Sequence, residues 1–107
     1  MTVTNEQTRM HRVAVRRHLA ERAITLALSS EWGQAIAVNR RLIEEFAPDA
    51  AAWNRLGTAY AHLDRLPEAS AAYEATLALD PTNAIAQRQR TRLVTYAPHA
   101  PTAGAAP

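Results

Sequence analysis

Residues 50–83 read AAAWNRLGTAYAHLDRLPEASAAYEATLALDPTN, and the spacing of the large side chains in this stretch decides the fold. Trp53, Leu56 and Tyr60 recur at the spacing of one helix face, with Ala between them. Asp64-Arg65-Leu66 interrupts that face. Pro67 suits the first turn of a new helix, where its missing N–H is no loss. Ala69 and Tyr73 carry this second helix to about Leu79, and Pro81 prevents it from continuing. The stretch therefore reads as two helices folded back on each other across a short turn.

The same signals extend outward. A first helix begins near Asn5, with Thr4 as N-cap and Gln7 completing a capping box, and runs to about Ser29. Its first half is polar and rich in Arg; its second half carries Leu19, Ala23, Ile24 and Leu26 at helical spacing. Ser30–Trp32 reads as a turn. A second helix spans about Gly33 to Phe46, with Ile36, Leu42, Ile43 and Phe46 as its buried positions. Pro48 ends it, and Asp49 is placed to cap a third helix, Ala50 to Leu63. Asn83 caps a fifth, Ala84 to Tyr96, whose Ile85, Ala86 and Leu93 or Val94 are expected to cover the fourth. Ala97–Pro107 is uncharged and rich in Pro and Ala, and is expected to be a disordered tail. Only three glycines and no β-branched runs place the chain in the all-α class.

Composition narrows the functions. The 107 residues suit one small domain, and 48% apolar content supplies a core. No apolar run approaches the ~18–20 residues of a bilayer span, and the N-terminus does not read as a secretory leader. A soluble cytoplasmic protein is expected. The absence of Cys removes disulfides, thiolate metal sites and cysteine nucleophiles. All twelve basic side chains are Arg, whose planar forks suit carboxylates and phosphates. Charge is unevenly spread: residues 1–28 carry a net +3, residues 29–83 a net −4 and residues 84–107 a net +3.

Trp53, Leu56, Gly57, Tyr60, Ala69, Tyr73 and Pro81 together closely resemble the signature of the tetratricopeptide repeat family; Thr76 occupies the remaining signature place, usually small. In this scheme Gly57 and Ala69 face each other where the helices cross. Residues 16–49 resemble a weaker copy, with Leu19, Ala23 and Ala35 matching Trp53, Gly57 and Ala69. Arg22, Leu26 and Asn39 depart from the pattern, and the interval from Pro48 to Trp53 is one residue short. The resemblance implies an antiparallel helix-pair solenoid: residues 1–15 an extension, 16–49 and 50–83 the repeats, and 84–96 a solvating cap helix.

Few residues suggest chemistry. His11 and His18 share a helix face, but no carboxylate cluster joins them to complete a zinc site. His62 and Asp64 lack a nucleophile or oxyanion donor nearby in sequence. Glu44 and Glu45 are adjacent and diverge on a helix. Trp32 and Trp53 read as turn or core residues rather than stacking platforms. No enzyme activity, cofactor or metal is expected.

Binding is expected instead. The resemblance implies a concave groove lined by the first helix of each pair and by the cap helix. Its residues would be Ala51, Asn54, Arg55, Thr58, Ala61 and His62, with Ala20, Glu21 and Ile24 before them and Arg88, Gln89 and Arg92 after. Asn54, Arg55, Thr58, His62, Arg88, Gln89 and Arg92 are the candidate contacts to a protein or peptide partner. Their Arg forks suit an acidic peptide or a chain-terminal carboxylate. The family's clamp for chaperone tails is not matched, since Ala20 and Ile24 stand where it wants Lys and Asn. Two alternatives remain: phosphate contacts from Arg9, Arg12, Arg16 and Arg17, serving nucleic acid or the ribosome, and self-assembly through the first helix.

Overall fold

The computed structural model describes residues 4–46 and 48–96, so the tail expected at 97–107 lies outside the described residues. Five helices follow one another: α1 (Asn5–Leu28), α2 (Trp32–Glu45), α3 (Ala50–His62), α4 (Leu66–Leu79) and α5 (Ala84–Tyr96). Each packs on the next in chain order, and α1 also touches α3. The expected all-α helical repeat is the architecture observed.

Local chemistry sets the boundaries. Thr4 Oγ1 accepts from Gln7 N–H at 3.0 Å while Thr4 N–H donates to Gln7 Oε1 at 3.0 Å, a complete capping box. Asp49 Oδ1 accepts from Ala52 N–H at 3.0 Å, and Asn83 Oδ1 accepts from Ala86 N–H at 2.9 Å. Trp32, expected in a turn, is instead the first residue of α2.

The backbone repeats every 34 residues. Ser30 and Asp64 are the two non-glycine residues with positive φ among those described, at 57° and 60°. After Ser30, Glu31 N–H reaches Leu26 O at 2.8 Å; after Asp64, Arg65 N–H reaches Tyr60 O at 2.8 Å. Ser30 N–H bonds Ala27 O, and Asp64 N–H bonds Ala61 O, both at 3.0 Å. Each turn is a Schellman motif, and its left-handed residue satisfies carbonyls the helix end would leave bare. The capping residues Asp49 and Asn83 keep the same interval. No residue is therefore missing before Trp53; Pro48 simply sits one place later than Pro81 does.

Two apolar clusters form the core. Leu19, Ala23, Leu42, Phe46 and Ala52 bind α1 and α2 to the start of α3. Leu56, Tyr60, Ala69, Ala72, Tyr73, Ala86 and Leu93 dominate the larger one across α3, α4 and α5. Tyr73 is only 1% exposed, and burying such a ring contributes about 1.5–3 kcal/mol.

Three packing expectations are corrected. Ile85 is exposed, because among the described helices α5 packs mainly on α4, and Leu93 rather than Val94 covers it. Ile43 is half-buried rather than buried. Gly57 lies closest to the ring of Tyr73, not to Ala69. Ala69 is fully buried in the same cluster, so small residues are needed on both helices, but the tight contact is with an aromatic edge.

Candidate partner-binding groove

The turn at Asp64 folds α4 back along α3, and the Asn83 cap lays α5 on α4. This brings Thr58, Ala61 and His62 of α3 to Gln89 and Arg92 of α5, around a cavity of about 230 Å³ with Tyr73 of α4. Four of the seven candidate contacts thus share one site. Tyr73 and Thr58 hydroxyls are 3.0 Å apart. Thr58 Oγ1 already donates to Asn54 O at 3.2 Å, so the phenol donates and Thr58 accepts. Burial pushes the Tyr73 pKa up, with the Arg92 charge acting the other way. Arg92 Nη1 donates to Gln89 Oε1 at 3.5 Å. A contiguous cavity of about 240 Å³ adds Asp64, Leu66 and Leu93.

His62 is held from the other side. Its ring stacks flat on Trp32 of α2, with centroids 4.0 Å apart and planes 6° from parallel. Trp32 is therefore a stacking partner within the fold.

The remaining candidates lie elsewhere. Arg55 lines a separate cavity of about 330 Å³ with Val13, Arg16, Arg17, Ala20 and Asp49. Its Nε donates at 2.9 Å to Oδ1 of Asn39, whose Nδ2 donates at 2.8 Å to Ala35 O. Desolvation lowers the Arg55 pKa, and the charge of Asp49 acts the other way. Arg55 is thus anchored into the α2–α3 packing. Asn54 buries its Oδ1 without a hydrogen-bond partner. Arg88 is exposed and lines neither cavity.

The Arg-rich stripe of α1 is divided. Arg12 Nη2 donates at 2.9 Å to Glu45 O, capping α2, and its guanidinium sits 4.8 Å from the Phe46 ring centroid. Arg16 comes within 3.9 Å of Asp49. Arg9, Arg12 and Arg16 share a cavity of about 300 Å³ with Phe46 and Pro48, while Arg17 turns to the α1–α3 side.

The family model of the tetratricopeptide repeat matches residues 50–83. These residues are a tetratricopeptide repeat. Searches among curated proteins and solved structures gave no match. In this repeat α3 is the first helix and α4 the second, and such repeats serve as protein–protein interaction modules, generally without catalysis. Among the described residues no helix is long and apolar enough to cross a membrane, and no three His, Asp or Glu gather as a metal site would need.

Sequence reasoning missed Tyr73, Trp32 and Asn39 as parts of the groove and its supports. Tyr73 reads as core, yet a buried phenol needs a partner for its hydroxyl, and that need points to the polar face of a neighbouring helix.

Proposed function

We propose that the chain is a non-catalytic adaptor that holds an acidic peptide or the acidic surface of a partner protein between α3 and α5. In this reading residues 16–49 are a second, divergent repeat, and α5 doubles as cap and groove wall. The supporting observation is the convergence of Thr58, His62, Gln89 and Arg92 on one cavity beside the Tyr73 hydroxyl. Arg92 offers a fork for a carboxylate; Thr58, Gln89 and His62 offer hydrogen bonds to a peptide backbone. The phosphate alternative has less support, because Arg12 already caps α2 and packs on Phe46.

The test is fluorescence polarisation against a panel of acidic peptides with free C-termini. Wild type should bind members of the panel, and Arg92→Glu should lose that binding while keeping its helical circular dichroism. Equal binding by both forms would refute the groove.

A further inference from the structure

Half of the large apolar side chains left exposed among the described residues sit on α1: Met10 at 65%, Val13 at 59%, Ile24 at 46% and Leu28 at 82%. At 100° per residue they fall within about 60° of one another, on the side opposite the buried Leu19, Ala23 and Leu26. Arg17 and Glu21 lie on the same stripe, both exposed; Val13 and Arg17 form its edge toward α3, where they also line the cavity beside Arg55. Among the described residues neither joins an ion pair. Arg placed four residues before Glu is the weaker order for pairing within one helix, so both charges remain available.

The stripe reads nearly the same from either end. Laid antiparallel on a second copy about a twofold axis at residue 19, Met10 meets Leu28, Arg17 meets Glu21, and Val13 comes beside Ile24. A parallel pairing would set Arg17 on Arg17. A twofold interface has to be complementary to itself, and this one pairs apolar with apolar and cation with anion. We propose that α1 is a dimerisation helix, with a second copy of this chain as the occupant of its outer stripe. A single helix pair lies at the small end of protein interfaces, so the dimer is reversible with concentration. None of Thr58, His62, Gln89 or Arg92 takes part, so this interface and the α3–α5 groove stand or fall separately.

Sedimentation equilibrium of the full chain over a concentration series tests it. Wild type should dimerise. Arg17→Glu and Glu21→Arg each put like charges face to face, and each should weaken the dimer at least about tenfold. Mixed together, the two variants should form a heterodimer, and the double exchange Arg17→Glu/Glu21→Arg should restore self-association. Both positions are exposed, so melting curves recorded at concentrations where wild type is monomeric should not move. The chain has no Cys, so disulfides report register cleanly: Met10→Cys mixed with Leu28→Cys should cross-link, and Met10→Cys alone should not. Three results would each overturn the proposal: wild type monomeric up to ~1 mM, a dimer indifferent to the single charge changes, or variants that fail to recover on mixing.

Discussion

Gly57 of α3 lies directly against the ring of Tyr73 of α4: a methyl group at position 57 would stand 2.8 Å from Tyr73 Cε1 and 2.9 Å from Cζ. The ring cannot retreat, since it is 1% exposed and its hydroxyl is tied to Thr58. Gly57→Ala gains up to about 1 kcal/mol of helix propensity, but overpacking costs about 1–3 kcal/mol. The clash wins, and thermal melting should fall by several degrees. Gly57→Leu should abolish a cooperative transition. Thirty-four residues earlier Ala23 and Asn39 hold the equivalent places, so a larger residue on one helix accompanies a smaller one on the next. A double-mutant cycle of Gly57→Ala with Tyr73→Asn should therefore show favourable coupling of at least about 0.5 kcal/mol.

The left-handed turns give a stabilising substitution. An L-residue in that conformation costs about 1–2 kcal/mol, while Gly adds entropy to the unfolded chain. Ser30→Gly should raise stability by about 0.5 kcal/mol in urea melts. Asp64→Gly should do less, because Asp tolerates the conformation better than Ser. A loss of stability in Ser30→Gly would mean that the observed turn is wrong.

Asn39 is a buried polar bridge with one partner on each side. Asn39→Leu leaves the half-buried Arg55 Nε unpaired and should cost about 1–3 kcal/mol. Adding Arg55→Met removes the orphaned donor as well and should recover part of that loss. Denaturant titration of the two singles and the double separates this pairing from a simple packing defect.

Stability should fall at alkaline pH through Tyr73. Its folded pKa is raised by burial above the unfolded value near 10. The stabilisation is fully present below that value and is lost as pH rises through the folded pKa, because the unfolded phenol ionises first. Tyr73→Phe should flatten this part of the curve, at the cost of the Thr58 hydrogen bond at every pH. Phenolate absorbance followed alongside circular dichroism measures both effects.

Helix limits were legible because each depends on local chemistry: Thr4 and Gln7, Asp49, Pro67 and Asn83 act within a turn of themselves. Burial at the ends was less so. Ile85 follows helical spacing, but spacing does not say that α5 packs mainly on α4 among the described helices. The cavity between α3 and α5 was partly legible. Repeat spacing places Thr58, His62, Gln89 and Arg92 on facing helices, and the fold closes them on one cavity. Arg55 lines a different cavity, with Ala20 and Ala51, and its bond to Asn39 was hidden because a cross-helix hydrogen bond leaves no mark in local sequence. The Trp32–His62 stack is hidden for the same reason, since its two rings approach only when α2 and α3 lie side by side.

The caps at Asp49 and Asn83 present the following helix with the same hydrogen-bonded entrance. A junction of that kind makes the unit modular: with the segment between the two copied in tandem, α4 of one copy would take the place that α2 holds against α3. Growth of such a chain is quantised, so its curvature and reach change by whole modules rather than by drift in loop length.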